Sequence, residues 1–243
     1  MTSSPQQNKE ILDQYKHEAA LVAIELVQSD SVIGLGTGTT SAHFLRLLGE
    51  RIHNGQLTNV HGVPTSEGAA GMAIEAGIPI ASLEEYPVLA LTVDGADEVD
   101  PRLDMIKGGG GALLREKIVA QATRRLVIIV DESKLSDRLG MSWPVPVEVL
   151  PFGWRTQHEF LTALGAQVET RLSNSGLPMH TDQGNLILDC DFGPIEDAAA
   201  LAAELDKRAG IVEHGLFLGL ADEVIVAGGD GVRRLPRPAA SHG

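Results

Sequence analysis

Four short, largely apolar strand-like stretches constrain this chain more than any other feature: residues 31–36, 60–65, 88–93 and 125–130. The first, for example, leads into residues spaced as on a helix face, with Phe44, Leu45, Leu48 and Ile52 recurring at helical intervals. Uninterrupted apolar runs of this length read as strands buried on both faces. Strands that alternate with helices build a layered parallel sheet joined by right-handed crossovers. The expected fold class is therefore α/β, with a Rossmann-like parallel sheet domain carrying helices on both faces. A chain of 243 residues is long enough for a real core, as one large domain or two modest ones.

A helix is expected over 9–28, where Ile11, Leu12, Tyr15, Ala19, Val22, Ala23 and Leu26 share a face, with Lys16 also on it. Residues 1–8 are expected to be frayed. The second run ends in Pro64-Thr65-Ser66 and enters a helix through Ile74 that Gly77 closes; 78–83 is expected to add a short strand. Beyond Gly140 the texture changes. The stretch 143–151 is punctuated by Pro144, Pro146 and Pro151, which suits an edge strand or a crossover between domains. A helix over 152–164, strands over 167–171 and 186–189, a turn-rich excursion over 173–184 and a helix over 195–209 follow. With its own hydrophobic pattern, 141–214 is expected to be a smaller inserted α+β domain, while 1–140 and 215–243 form the α/β domain. Runs at 215–219 and 224–227 are expected to return to the first sheet, and the tail after Pro236 to be disordered.

Three of the apolar runs end in polar clusters, at the carboxyl ends where open α/β sheets bind ligands. The third delivers Asp94, Gly95, Ala96 and Asp97, then Lys107, the glycines Gly108, Gly109, Gly110 and Gly111, and a helix over 112–123 that carries Glu116. Glycines let backbone N–H groups approach a ligand, and a helix start favours an anion. One stretch thus offers carboxylates for proton transfer, a cation and an anion cradle. The first run enters Gly36-Thr37-Gly38-Thr39-Thr40, an arrangement in which N–H groups and hydroxyls can wrap a phosphate. It lacks the Gly-Lys-Ser/Thr of a P-loop and the third glycine of a dinucleotide fingerprint. Such glycines also occur for steric reasons alone. The fourth run delivers Asp131, Glu132, Ser133 and Lys134.

The formal net charge of −14 argues against nucleic-acid or anionic-membrane partners, which need a basic face. It leaves room for a small anionic ligand held by a few local donors. A single cysteine, Cys190, excludes an intramolecular disulfide framework and reads as a small buried hydrophobe. The first 20 residues have no apolar signal-peptide core, and no apolar run is long enough to cross a bilayer. A soluble, cytoplasmic protein is expected. The eight histidines show no metal-ligand spacing; His43, His53 and His61 read as structural or exposed.

In their order along the chain, Gly36-Thr37-Gly38-Thr39-Thr40, Asp94-Gly95-Ala96-Asp97-Glu98, Lys107-Gly108-Gly109-Gly110 and Arg115-Glu116-Lys117 resemble the type A ribose-5-phosphate isomerases. Pro64-Thr65-Ser66, Ser133-Lys134, Pro146-Val147-Glu148-Val149 and Gly215-Leu216-Phe217 support a similarity spread over nearly the whole length. Two departures are small: Thr39 stands where serine is usual, and Gln183 where asparagine is commoner. The resemblance implies interconversion of ribose 5-phosphate and ribulose 5-phosphate through an enediolate, with no organic cofactor and no metal, in a homodimer or homotetramer. It implies Glu116 as the proton acceptor, Lys107 as the cation holding the enediolate oxygen, and Asp94 and Asp97 as the pair on the sugar hydroxyls. Asp94 is then the group that opens the ring. Thr37, Gly38, Thr39 and Thr40 would take the phosphate, and Gly95, Ala96, Gly108, Gly109, Gly110 and Lys134 would contact substrate. On its helix Glu116 shares a stripe with Leu113 and Ala120, so it should face a partly desolvated site that raises its pKa towards that of a working base.

Plainer readings stand beside these. A helix glutamate between Arg115 and Lys117 is ordinarily a surface ion-pair former, Asp-Gly-Ala-Asp is often only a turn, and Lys134 and Lys16 suit solvated positions. Two other functional classes compete. A sugar-phosphate sensor would keep the threonine loop without needing Glu116 with Lys107. A coenzyme A transferase would use a glutamate as nucleophile and depend on coenzyme A.

Overall fold

The computed structural model describes residues 5–238. In chain order its elements are α1 (Pro5–Ile24), β1 (Ser31–Leu35), α2 (Thr39–His53), β2 (Val60–Pro64), α3 (Glu67–Glu75), β3 (Leu91–Asp94), β4 (Glu98–Val99), β5 (Met105–Ile106), α4 (Leu113–Gln121) and β6 (Leu126–Asp131). A 3₁₀ turn (Glu132–Lys134) follows, then β7 (Val145–Val149), α5 (Trp154–Ala163), β8 (Gln167–Thr170), β9 (Leu186–Asp191), α6 (Ala198–Asp206), β10 (Ile211–His214), β11 (Leu216–Phe217), β12 (Glu223–Gly228) and β13 (Gly231–Pro236). The chain forms two compact units. One takes the residues up to Gly95, Ile118–Lys134 and those from Leu220 onward; the other takes Ala96–Lys117 and Leu135–Gly219. The second unit thus holds 96–117, 135–140 and 215–219 besides the 141–214 marked out by sequence.

The first unit is built on a six-stranded sheet in the order β13-β12-β6-β3-β1-β2. Every neighbouring pair is parallel except β12 with β13, so the sheet is mixed at one edge. One face buries Ile33, Leu35, Val93, Val127, Ile129 and Ile225 against Ala19, Ala20, Ala23 and Ile24 of α1 and Phe44, Leu45 and Leu48 of α2. On the other face Val63 and Leu89 pack with Val119 of α4. Both faces being covered explains the uninterrupted apolar runs. Gly34 is required by close packing: a Cβ there would lie 2.0 Å from Thr92 Oγ1 and 2.7 Å from Val119 Cγ1.

Several expectations are corrected. The helix expected over 9–28 is α1, beginning at Pro5, so 5–8 belong to it; the rest of the expected frayed start lies outside the described residues. The segment 78–83 is no strand: it makes one isolated bridge, Ile80 to Gly62, and then turns where Ser82 and Glu85 hydrogen-bond. β13 was not foreseen; it folds back on β12 across a two-residue connection, with Gly228 opposite Gly231. The chain after Pro236 keeps contacts, since Arg237 N–H donates to Asp222 O (2.9 Å) and Arg237 Nε to Ala221 O (2.6 Å). The remainder of the expected disordered tail lies outside the described residues.

The second unit contains two antiparallel sheets, ordered β10-β7-β9-β8 and β11-β5-β4. The run 215–219 does not return to the first sheet. Its β11 pairs with β5, and Leu216 and Phe217 are buried. Nor is the proline-rich strand an edge: β7 lies between β9 and β10. Pro146 is tolerated because β10 ends at His214, opposite Val147, where a ladder donor is no longer needed. The Pro146 carbonyl still accepts from Gly215 N–H (2.7 Å). Val145, Val147, Val149, Leu161, Leu188, Cys190 and Leu205 make the core of this unit, and burial pushes the Cys190 thiol well above its ordinary range.

Candidate active site

In the first unit, β1 hands the chain to α2 through Gly36, Thr37 and Gly38. The loop rests against the end of β3. A Cβ on Gly36 would lie 2.2 Å from Asp94 Oδ1, so only glycine allows this approach. Asp94 is buried, and its Oδ1 accepts from the N–H groups of Thr37 (3.0 Å) and Gly95 (2.8 Å) and from Ser41 Oγ (3.4 Å). Thr37 Oγ1 donates to Ser66 Oγ (2.8 Å) and lies 2.7 Å from Thr65 Oγ1. Thr65 in turn donates to the Leu35 carbonyl (2.9 Å). These hydroxyls tie the ends of β1 and β2 together. Gly38, at φ 105°, caps α2, whose first intrahelical bond runs from Ala42 N–H to Gly38 O. The N–H groups of Thr39 and Thr40 therefore have no acceptor within the helix. Gly38 and Thr39 are exposed and Thr40 half-buried, so the turn is open to an anion. Lys134 is half-buried in the 3₁₀ turn after β6, and Lys16 is half-buried on α1. His43 lies 3.0 Å from Asp13.

In the second unit, β4 and β5 form a short hairpin that sets Asp97 before it and Lys107 after it. Asp97 N–H donates to Ile106 O (2.9 Å), and Lys107 N–H to Gly215 O (2.9 Å). Gly108 to Gly111 make a turn closed by Gly111 N–H to Gly108 O (3.0 Å), with φ of 106° and 83° at its ends. Gly109 N–H donates to Asp97 Oδ2 (2.7 Å), and a Cβ on Gly109 would strike that carboxylate at 2.6 Å. Gly110 is exposed and Ala96 half-buried. α4 then begins, and its buried stripe of Leu113, Glu116 and Ala120 is the one that helical spacing indicates. Lys107 Nζ lies 3.5 Å from Glu116 Oε2, with the two side chains only 4% and 6% exposed. A carboxylate and an ammonium held together out of water can exchange a proton with a substrate and balance the charge that develops.

Sequence reasoning missed many contacts of the second unit. The Phe217 ring centroid lies 5.5 Å from Lys107 Nζ and 4.9 Å from Lys117 Nζ. Lys117 donates to Glu213 Oε1 (2.6 Å) and His214 O (2.7 Å); burial lowers its pKa, which Glu213 opposes. His214 is pushed down to about 4, by burial first and then by the Lys117 charge. Asp206, Glu213 and His214 bring three potential ligand atoms within 4.8 Å, but the Lys117 ammonium already serves Glu213 there. Glu98 accepts from the N–H groups of Gly140, Met141 and Ser142. Glu148 is buried between donors Thr181 (2.8 Å) and Asn185 (2.9 Å), and burial raises its pKa. The turn that carries Gln183, distant from Glu116 in sequence, is not distant in space: Asp182 Oδ2 lies 3.6 Å from Arg115 Nη1. Glu98, Lys117, Glu148 and Phe217 lie in stretches that carry the resemblance, but none of these pairings had a local sequence signal.

Residues 61–231 match the family model described as ribose 5-phosphate isomerase A (phosphoriboisomerase A). A protein of Chloroflexus aurantiacus named ribose-5-phosphate isomerase A is 56% identical over 220 residues, 90% of this chain and 92% of that one. A D-ribose-5-phosphate isomerase solved in complex with phospho-erythronic acid superposes with a TM-score of 0.91 at 44% identity, covering 93% of this chain and 99% of the other. The ribose 5-phosphate isomerase of Plasmodium falciparum gives a TM-score of 0.90 at 37% identity, covering 93% and 100%. The chain belongs to the ribose 5-phosphate isomerase A family.

Proposed function

We propose that this protein interconverts D-ribose 5-phosphate and D-ribulose 5-phosphate through an enediolate, a step of the non-oxidative branch of the pentose phosphate pathway. The observation that carries the reading is the buried Lys107–Glu116 pair, 3.5 Å apart, in a chain of this family. Glu116 takes the proton from C2 of the open-chain aldose, and the electron pair moves into a C1–C2 double bond as charge gathers on O1. Lys107 balances that charge. The proton on O2 passes to O1, the C2 carbonyl forms, and Glu116 returns its proton to C1. Asp97 binds sugar hydroxyls. Asp94, kept in place by Thr37 and Gly95, serves as the acid/base of ring opening. Gly95, Ala96, Gly108, Gly109 and Gly110 supply backbone contacts, and Lys134 a cation. That the relative of known structure was solved with phospho-erythronic acid supports a phosphorylated sugar as ligand. The direct test is purified protein with ribose 5-phosphate, following ketose formation; no ketose above the uncatalysed rate would sink the reading.

Thr37, Gly38, Thr39 and Thr40 take the phosphate. Gly38→Val places a β-branched residue at φ 105° and puts a side chain where the anion approaches. KM is expected to rise by at least about tenfold, the worth of one good hydrogen bond to a charged group. An unchanged KM in a folded variant would remove the phosphate from this loop.

The protein is proposed to act in the cytoplasm. Its lone buried cysteine suits a reducing compartment, and among the described residues no helix is long and apolar enough to cross a membrane. A homodimer or dimer of dimers is the proposed assembly; a monomer by light scattering at micromolar concentration would contradict it.

A further inference from the structure

Arg171 directly follows β8, and its side chain is 13% exposed. Every nitrogen of its guanidinium is engaged. Nε donates to Asp189 Oδ2 (2.9 Å), Nη2 to Asp189 Oδ1, and Nη1 to the carbonyls of Gly108 (2.7 Å) and Gly109 (3.1 Å). The Gly108–Gly109 peptide is thus gripped at both ends: the guanidinium holds its oxygen, and Asp97 Oδ2 accepts from its N–H at 2.7 Å. The next peptide is oriented too. In a trans peptide C=O and N–H point in opposite directions, so a guanidinium on the Gly109 carbonyl turns the Gly110 N–H away from Arg171. Gly110 is exposed. Glycines accept φ of either sign, and the Gly111 N–H to Gly108 O bond that closes the turn forms with either orientation of the central Gly109–Gly110 peptide, so it does not select that orientation over its flip. The selection comes from Arg171, whose planar fork is itself fixed by Asp189.

We propose that Arg171 is a positioning residue for the isomerase site. Through the Gly108 and Gly109 carbonyls it holds the glycine turn in the one orientation that ties down Asp97 and presents the Gly110 N–H to the sugar. This rests on the isomerase reading above. A lysine cannot replace it, because a single ammonium cannot pair bidentately with Asp189 and bridge two carbonyls as well. Lys107 and Glu116 are held by other contacts, Lys107 through its N–H to Gly215 O and Glu116 through α4. Loosening the turn should therefore weaken binding more than chemistry.

The test is a double-mutant cycle of wild type, Arg171→Lys, Asp97→Asn and the double variant, each assayed with ribose 5-phosphate. An inactive wild type would overturn the isomerase reading itself, which separates that failure from this one. With an active wild type, Arg171→Lys is expected to melt cooperatively and to raise KM about tenfold, while kcat falls by only about threefold. The double variant should lose little more kcat/KM than Asp97→Asn alone, because both substitutions break one linked contact. A merely structural arginine would lower the melting temperature, leave the KM of the folded enzyme unchanged and combine multiplicatively with Asp97→Asn. Either of the last two results overturns the proposal. Should Arg171→Lys fail to fold, Asp189→Asn leaves the arginine in place but loosens its fork. It is expected to raise KM a few-fold, again non-multiplicatively with Asp97→Asn, and independence there overturns the proposal equally.

Discussion

Glu116→Gln is expected to lower kcat by roughly 10²- to 10⁴-fold, the usual contribution of a positioned general base. Glutamine keeps the size and a hydrogen-bonding oxygen but cannot accept the C2 proton. KM should stay within a few-fold of wild type, because the threonine loop, Asp94 and Asp97 are untouched. The fold should survive, since glutamine matches the buried side chain in size and its stripe partners Leu113 and Ala120 are unchanged. Exchange of the substrate's C2 hydrogen with solvent decides the assignment. A folded variant that isomerises and exchanges at the wild-type rate would pass the role of base to another group, with Asp94 the next candidate.

Lys107→Ala removes an ammonium 3.5 Å from Glu116 Oε2. Loss of one preorganised charge at a developing oxyanion costs about 10²- to 10³-fold in kcat. A second effect is separable from the first. The neighbouring cation favours the ionised carboxylate. With Glu116 as the proposed base, loss of that cation should shift the acid limb of the kcat/KM profile to higher pH in the variant. A profile superimposable on wild type apart from its height would show that Lys107 does not act on Glu116. Lys117, whose ammonium lies 4.9 Å from the Phe217 centroid and bonds Glu213, stays in place as a control for general loss of the cluster.

How far the site could be read in advance follows the range of each signal. Asp94 was legible because the run before it is apolar on both faces, and such a strand must surrender its chain at a sheet end. The buried face of Glu116 was legible because Leu113 and Ala120 lie one helical turn away on either side. Arg171 was not legible, because it reaches Gly108 and Gly109 across 63 and 62 residues of chain. Lys117 with Glu213 was hidden for the same reason, at a separation of 96.

The sequence alone determined the layered α/β sheet, the order of its buried parallel strands along the chain and the polar clusters at their ends. These properties are local: burial on two faces writes an uninterrupted apolar run, and a helix face writes a periodic one. Only the tertiary structure decided that β7 is central despite Pro146, that 215–219 pairs with β5, and that 96–117 belongs with the second unit. Two-residue strands such as β4, β5 and β11 carry no periodicity to detect. Their pairing is set by which distant backbone groups complete the hydrogen bonds of a buried chain, and that is settled only when the whole chain is folded.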